Sequence, residues 1–382
     1  MTEPTAPHES AAPAGRVTAL HDRHRTLGAS FTDFGGWLMP VRYSSDLAEH
    51  HAVRTAAGLF DISHMAEFTL TGPDAASFLD YALAGVISAM RVGKAKYSLV
   101  LAESGGIVDD VIVYRIEDAR FLVIANAGNR DAVATALSER AGGYEVEVAD
   151  DTDDMSLIAV QGPAARVVLK MTTDLDGIEP ALDELGYYAW AEGVFGHTPV
   201  FIARTGYTGE DGYELLVDND AAGELWDRIL EAGDAVGLVP AGLAARDTLR
   251  LEAGMPLYGH ELSLDVSPAQ AGLGRVVAFD KEDFVGKSGL LAAASDAPVL
   301  VGLVSEGRRA GRAGYPVFAD PDAADAVGEV TSGALSPTLG HPIAMAFVAP
   351  DASEPGTVLF IDVRGTRIPA TVTTLPFYRR NP

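Results

Sequence analysis

Two consecutive carboxylates, Asp109 and Asp110, interrupt an apolar run that otherwise has the composition of a β-strand. Strands are depleted in Asp, and successive side chains point to opposite faces of a sheet. One carboxylate must therefore face inward, or the strand must contain a bulge. An inward carboxylate at a cleft could hold a protonated ring nitrogen or act as a general base. The alternative is a turn or bulge that Asp caps.

A second candidate site is the glycine-rich segment between Arg204 and Glu214. Its three glycines predict a loop between two strands, where the backbone can approach a ligand closely. The alternative is a hairpin without a functional role. Glu214 directly precedes the apolar residues 215–217, so its side chain is either exposed on a strand or directed at a bound group.

Two arginines, Arg246 and Arg250, lie four residues apart in an Ala- and Leu-rich segment that predicts a helix. They share one face of that helix, and the segment should be largely buried, so both require carboxylate partners. One interpretation is a structural ion pair with Asp247 or Glu252. The other is that Arg246 meets Glu214 at a ligand.

Composition excludes several kinds of site. The chain has no cysteine, which excludes disulfides, thiolate metal sites and a cysteine nucleophile. The nine histidines lack acidic or histidine partners at metal-ligand spacing, so no metal is expected. His64, close to Asp61 in the sequence, is predicted to form a hydrogen bond within a loop. No phosphate-binding or dinucleotide-binding glycine motif is present.

The charge balance argues against nucleic acid as a partner, because 28 basic and 54 acidic residues give a net charge of −26. An anionic ligand would need local basic residues, and the candidates are Arg308, Arg309, Arg312, Arg379 and Arg380. No apolar run approaches the roughly 18 residues of a membrane span. Without the features of a signal peptide at the N-terminus, a cytoplasmic location is expected.

The elements that must position these residues form a pattern that occurs twice. An alternating strand leads into Gly72-Pro73 and a helical segment, and a second such strand leads into Gly162-Pro163 and another helical segment. Further strands and a helix follow each copy. We therefore interpret roughly residues 45–235 as an internal duplication, with a cleft between its halves that suits a ligand.

The pattern changes after residue 298. Five short alternating strands between Gly, Pro and Asp turns predict a small antiparallel barrel or sandwich. The whole chain is therefore assigned to the α+β class. We predict a disordered tail over residues 1–16, a duplicated domain over residues 17–295 and a C-terminal β-barrel domain over residues 296–382.

Six motifs, in this order, resemble those of the aminomethyltransferase family, the T-proteins of the glycine cleavage system. They are FGGWLMP (34–40), FDISHM (60–65), GGIVDD (105–110), RTGYTGEDGYE (204–214), GLAARDTLRLEAG (242–254) and PFYR (376–379). The resemblance covers nearly the whole chain from about residue 17 to residue 380. It implies a three-part clover around a folate-binding cleft, in which the last part is an antiparallel barrel.

The resemblance also assigns roles to individual residues. Asp110 matches the catalytic carboxylate of the family, which orients the attacking nitrogen of the folate. Glu214 and Arg246 match residues that hold the pterin ring, and a carboxylate is a suitable acceptor for its N–H edge. The remaining matches line the same pocket, and they are Tyr97, Tyr207, Tyr378, Met65 and Asn126.

The reaction implied by the resemblance starts from an aminomethyl group on the dihydrolipoyl arm of the H-protein. Its methylene carbon passes to tetrahydrofolate, a co-substrate, and ammonia leaves. One alternative is a one-carbon transferase that acts on a free methyl or methylene donor. The other is a folate-binding assembly factor for iron–sulfur proteins. Those proteins carry a Lys-Gly-Cys-Tyr type motif in the corresponding loop, and this chain has no cysteine at residues 204–207. The pair His260-Glu261 departs from the amide–acid pair more often found in the family.

Overall fold

The computed structural model describes residues 15–292 and 296–380. The first elements are α1 (His21–Thr26), β1 (Ser30–Phe34), β2 (Trp37–Arg42), α2 (Asp46–Thr55) and β3 (Ala57–Asp61). Ser45 caps α2, because its side chain accepts a hydrogen bond from the backbone N–H of Ala48. Apart from residues 15 and 16, the tail predicted over residues 1–16 lies outside the described residues. No helix within the described ranges is long and apolar enough to cross a membrane.

The first sheet is built from one continuous stretch of the chain. Its elements are β4 (Ala66–Thr71), α3 (Ala75–Ala82), β5 (Ala95–Leu101), β6 (Ile107–Glu117), β7 (Arg120–Ala125), α4 (Arg130–Arg140) and β8 (Glu147–Asp150). The strand order is β5-β6-β7-β4-β8, and all neighbours are antiparallel. Because side chains alternate along a strand, Ala66, Phe68 and Leu70 of β4 pack under the two helices, while Glu67 faces the opposite side.

The second sheet has the order β10-β11-β12-β13-β9-β3-β14, and only β14 runs parallel to its neighbour β3 among the described strands. Its further elements are β9 (Met155–Gln161), α5 (Ala165–Met171), β10 (Leu175–Glu179), β11 (Trp190–Phe195), β12 (Thr198–Ala203), β13 (Gly212–Asp218), α6 (Asn219–Asp234), β14 (Leu238–Pro240) and α7 (Leu243–Glu252). Helices α5 and α6 cover its outer face.

The predicted duplication is visible as the matching orders β5-β6-β7-β4 and β11-β12-β13-β9. The Gly-Pro pairs mark the equivalent turns that follow β4 and β9. Gly72 has a φ of 142° and Gly162 a φ of 133°, and neighbouring backbone approaches both closely. A Cβ would lie 2.2 Å from the Glu145 oxygen at the first turn and 2.5 Å from the Ala56 oxygen at the second. Only glycine therefore fits either turn.

The C-terminal strands form a closed antiparallel barrel with the order β15-β18-β17-β16-β19-β20. They are β15 (Val299–Ser305), β16 (Pro316–Phe318), β17 (Gly328–Leu335), β18 (Pro342–Val348), β19 (Val358–Asp362) and β20 (Arg367–Thr373), and α8 (Lys287–Ala292) precedes them. The barrel has six strands and not the predicted five, because β16 is too short to show an alternating pattern. The predicted boundary at residue 295 lies in the part of the chain that is not described.

The two large sheets face each other across a shared apolar layer. Its members come from both sheets and include Tyr114, Leu122, Ile124, Leu157, Ala203 and Leu216. A void of about 10 Å³ remains in this layer, and Glu214 lines it together with apolar side chains. Since the outer faces are covered by helices, the polar groups between the sheets are the ones placed to meet a ligand.

Glu67 on β4 is one polar group of this inner face that lacks a partner. The side chain is fully buried, and neither carboxylate oxygen has a hydrogen-bond partner among the described residues. Burial, followed by the nearby Asp150, raises the pKa of Glu67 well above its usual range. The folded chain therefore retains a proton that the unfolded chain releases, and stability falls as the pH rises above the unfolded pKa.

We expect Glu67→Gln to raise the free energy of unfolding by about 1–3 kcal/mol at pH 8, because the wild-type chain must bind a proton at Glu67 as it folds, whereas glutamine is uncharged in both states. At pH 4, where the folded Glu67 already carries its proton, the change should be small. Urea unfolding at both pH values measures the difference. Glu147→Gln, on the exposed side of β8, is the control and should have no effect. Destabilisation at pH 8 would contradict the prediction.

Candidate functional site

Asp109 and Asp110 lie on β6 directly after a β-bulge. Val100 pairs with Asp109, but Leu101 pairs with Ile107, so β6 contains one extra residue at this point. The sequence predicted either an inward carboxylate or a bulge. The structure has both, because the strand is bulged and Asp109 is also fully buried. The neighbouring strand β7 ends at Ala125, which leaves this part of β6 free to bond the residues that follow it.

The two carboxylates differ in how completely they are bonded. Asp109 accepts hydrogen bonds from the backbone N–H of Asn126 (2.9 Å), from the Asn126 side chain (2.8 Å) and from Asn129 (2.7 Å). Asp110 accepts from Asn126 Nδ2 at 2.7 Å and from the Tyr97 hydroxyl at 3.1 Å. Asp109 is thus held as part of the scaffold. Asp110, half-buried, is the carboxylate with acceptor capacity left.

The environment disfavours the charged form of both carboxylates. Burial, with the neighbouring Asp110, raises the pKa of Asp109 to about 7, and burial raises the pKa of Asp110 as well. Because their charges interact, the two adjacent carboxylates titrate as a pair. A carboxylate whose pKa has been moved toward neutrality is a suitable proton acceptor in a reaction at neutral pH.

Asp110 acts on three tyrosines: the Tyr97 hydroxyl donates a hydrogen bond to it, and its charge adds to the effect of burial in raising the pKa of Tyr207 and of Tyr188. Burial raises the pKa of Tyr97, and the charges of Asp110, Tyr207 and Tyr188 raise it further. Burial also raises the pKa of Tyr188, to which Glu214 and Asp110 both contribute. The charges of both predicted functional carboxylates therefore act on Tyr188.

Tyr188 is a site residue that the sequence did not reveal. Its φ of 54° lies in the left-handed region, which is uncommon for a residue with a side chain. Its carbonyl accepts from Ala95 of the first sheet at 2.9 Å, and its N–H donates to the Arg204 carbonyl beside the second sheet at 3.1 Å. The strained backbone thus joins the two halves at the cleft, and no motif in the sequence signals such a bridge.

Glu214 on β13 is half-buried and is bonded through a short chain of hydroxyls. The Thr205 hydroxyl donates to its carboxylate at 2.5 Å, and the Tyr114 hydroxyl lies 3.0 Å from that of Thr205. Burial raises the pKa of Glu214, although the positive charge of Arg246 opposes this. The exposed strand position considered from the sequence is therefore wrong for Glu214.

The charge of Arg246 on α7 acts on Glu214, but the two side chains form no direct hydrogen bond. Its guanidinium lies 4.9 Å from the centre of the Tyr207 ring, and the Tyr207 hydroxyl donates to the carbonyl of Pro256. The buried Nη1 of Arg246 has no hydrogen-bond partner within the described chain. Arg246 therefore has hydrogen bonds left to offer a ligand.

The structural ion pair expected for this helix belongs to Arg250. It bonds to Asp247 at 2.8 Å and to the buried Glu261 at 3.1 Å. Glu252, the other partner considered from the sequence, instead bonds to Arg54 at 2.7 Å. Glu261, part of the departure from the family pattern, thus has a structural partner.

Two of the sequence-predicted residues, Tyr378 and Met65, make contacts of a different kind. The Arg54 guanidinium lies 4.1 Å from the centre of the Tyr378 ring, and the Tyr378 backbone N–H donates to the Glu252 carbonyl at 2.8 Å. Met65 is half-buried against the apolar layer between the sheets. The structure therefore brings together Asp110, Asn126, Tyr97, Tyr207, Glu214 and Arg246, and places Tyr378 and Met65 at other contacts.

The assembled groups suit a flat, polar, nitrogen-rich ring. Tyrosine rings can pack on its faces, a carboxylate can accept from its N–H groups, and a guanidinium can donate to its acceptors. In the described ranges, no group of three histidine, aspartate or glutamate side chains is arranged to bind a metal ion. A separate cavity of about 300 Å³ has Arg16 and Asp153 in its lining, and these two pair with each other.

Comparison with known proteins agrees with the motifs and with the fold. The GCVT N-terminal domain model matches residues 20–281, and the model of the glycine cleavage T-protein C-terminal barrel domain matches residues 299–379. An aminomethyltransferase of Streptomyces avermitilis is 56% identical over 374 residues, which cover 96% of this chain and 98% of the relative. An aminomethyltransferase of Moorella thermoacetica is 46% identical, with 96% and 98% covered.

A solved structure extends this agreement to three dimensions. The crystal structure of the glycine cleavage system aminomethyltransferase T from Bartonella henselae matches with a TM-score of 0.87 and 37% identity, and covers 95% of this chain and 98% of its own. The resemblance and the fold class inferred from the sequence are confirmed. The chain therefore belongs to the glycine cleavage T-protein family, a family of aminomethyltransferases.

Proposed function

We propose that this chain transfers the methylene carbon of an aminomethyl group, carried on the dihydrolipoyl arm of the H-protein, to tetrahydrofolate. The carbon exchanges its bonds to nitrogen and sulfur for bonds to two folate nitrogens. The two protons lost by those nitrogens leave on ammonia and on the freed thiol, so the reaction needs no oxidant or reductant. The expected cytoplasmic location stays a prediction.

The observation that carries the proposal is the asymmetric bonding of Asp110. Tyr97 and Asn126 fix its carboxylate in one orientation, while part of its acceptor capacity stays unused toward the tyrosine-walled cleft. Its raised pKa favours proton acceptance at neutral pH. We infer that Asp110 accepts a hydrogen bond from the attacking folate nitrogen and takes up its proton as the new bond to carbon forms.

Glu214 and Arg246 supply the complementary polar contacts for the ring. The Glu214 carboxylate is oriented by Thr205 at 2.5 Å, and Arg246 retains an unbonded Nη1. Because both carbon donor and acceptor arrive on carriers, alignment of the two should supply much of the rate enhancement. Arg380, 3.6 Å from Asp211, lies 6.0 Å from the Tyr187 ring centre and is a candidate contact for the anionic tail.

The proposal is tested by measuring ammonia release from aminomethyl-loaded H-protein, with and without tetrahydrofolate. Release that depends on tetrahydrofolate, together with appearance of methylene-tetrahydrofolate, is the expected result. A chain that binds folate but shows no folate-dependent release would contradict the proposal. A free methyl or methylene compound would then be the donor to test.

A further inference from the structure

His64 is a buried histidine with an unmet hydrogen bond. It follows β3 and is only 3% exposed, yet its Nδ1 has no partner in the part of the chain that the structure describes. The sequence suggested a loop hydrogen bond near Asp61, and this prediction is wrong. Asp61 is already occupied by Thr18 at 2.6 Å, by His24 at 2.8 Å and by the backbone of Ser63 at 2.9 Å.

A second unmet group belongs to Arg246, and the sequence neighbours of the two residues, Met65 and Ala245, pack in the same apolar layer. Burial lowers the pKa of His64 to about 4; the charge of Asp61 opposes this shift and the charge of Arg246 adds to it. The buried Nη1 of Arg246 is also unpartnered among the described residues. The imidazole is therefore neutral at neutral pH, with one donor and one acceptor nitrogen. An unpaired buried polar group costs about 1–3 kcal/mol, and native structures contain few of them.

The β1–β2 hairpin connects this pair to the carboxylate end of the cleft. The Phe34 ring lies edge-on over His64, with 5.4 Å between the ring centres. The next residue, Gly35, lies so close to Gly128 that a Cβ would be 3.3 Å from its nitrogen. Gly128 lies two residues after Asn126, whose side chain donates a hydrogen bond to Asp110. The hairpin tip therefore contacts both His64 and the loop that holds Asp110.

We propose that His64 is a specificity-determining residue for the carbon acceptor, and that its imidazole hydrogen-bonds the polar edge of the nitrogen heterocycle held by Glu214 and Arg246. This inference rests on the proposed folate site and adds a residue to it. The bound heterocycle supplies hydrogen-bond partners for His64 Nδ1 and Arg246 Nη1, which lack them in the described chain. The binding site thus reduces the stability of the empty protein and gains affinity and selectivity for a ring with matching donors and acceptors.

The test compares His64→Phe with His64→Asn. Phenylalanine keeps a ring beneath Phe34 but removes the nitrogens, whereas asparagine restores a donor and an acceptor near the position of Nδ1. Binding is measured by calorimetry for tetrahydrofolate, for a tetrahydropterin without the benzoylglutamate and for p-aminobenzoylglutamate. The melting temperature of the ligand-free protein is measured in parallel. His51→Phe, on the exposed side of α2, is the matched control.

We expect His64→Phe to weaken tetrahydrofolate and tetrahydropterin binding by about tenfold, the effect of one hydrogen bond worth roughly 1.4 kcal/mol. Binding of p-aminobenzoylglutamate should not change, and the melting temperature should stay the same or rise. His64→Asn should recover most of the affinity.

Unchanged tetrahydropterin affinity in His64→Phe would overturn the inference, because solvent would then satisfy Nδ1. Equal loss for both fragments with a lower melting temperature would overturn it too, because it indicates general disruption. Failure of the wild-type protein to bind tetrahydrofolate would refute the proposed function itself, and the inference with it.

Discussion

Replacing Asp110 with asparagine should lower the turnover of aminomethyl transfer by about a thousandfold, within the range found for loss of a general base. Asparagine has nearly the same shape and can accept the bond either from Tyr97 or from Asn126, so folate affinity should change by only a few-fold. What is lost is a carboxylate that can take up a proton at neutral pH. The measurement is single-turnover ammonia release from aminomethyl-loaded H-protein at saturating tetrahydrofolate.

The pH dependence gives an independent check on Asp110. Because burial raises its pKa, the wild-type rate should begin to fall at a higher pH than it would for an ordinary carboxylate as the solution is acidified. Asp110→Asn should lack this acid limb. Asp118→Asn, in the exposed turn at the end of β6, should match the wild type in rate and in pH profile. A variant at residue 110 with near wild-type turnover would show that proton uptake occurs elsewhere.

Regular local patterns allowed much of the fold to be predicted from the sequence. The two Gly-Pro turns exposed the duplication, because a close backbone contact requires glycine at each of them. Strands β10 and β11 of the second copy were missed, and so was the three-residue β16. In β11, glycine and glutamate interrupt the apolar residues and weaken the alternation on which strand prediction depends.

Site residues could be predicted only where charged side chains interrupt an otherwise apolar strand or helix. Two aspartates within a strand and arginines within an apolar helix are costly, so their presence indicates a special environment. Tyr188 carries no such signal, since its left-handed backbone is imposed by contacts with residues distant in the sequence. The unmet bond of His64 is likewise invisible in sequence, because it depends on how Asp61 is occupied.

No pattern in the sequence indicates a role for Arg54 on α2. In the structure its side chain connects four segments of the chain. All five of its N–H donors are used by residues of the 204–214 loop, of α7 and of the β17–β18 loop, namely Thr208, Glu210, Leu249, Glu252 and Thr338. Its guanidinium also covers the ring of Tyr378 near the C-terminus. The loop that carries Tyr207 is therefore fixed to the barrel through one side chain.

We expect Arg54→Met to reduce the free energy of unfolding by about 3–5 kcal/mol, because it removes the guanidinium that two buried carboxylates share. Glu210 and Glu252 both bond Arg54, at 2.9 Å and 2.7 Å. Urea denaturation at pH 7 provides the measurement, and Arg42→Met, exposed at the end of β2, should cost less than about 0.5 kcal/mol. A loss below about 1 kcal/mol in Arg54→Met would mean that water replaces the guanidinium.

The contacts of Glu252 at this junction should make the free energy of unfolding depend on pH in the acidic range. Burial alone would raise the pKa of Glu252, but hydrogen bonds from His50, Ser336 and Arg54 lower it to about 2. A depressed carboxylate pKa contributes stability above its unfolded value, and this contribution is lost as the pH falls toward 2. Arg54→Met should reduce that acid dependence. In the double variant Arg54→Met, Glu210→Gln the loss should be smaller than the sum of the two single losses, because the second change removes a carboxylate that the first had left unpaired.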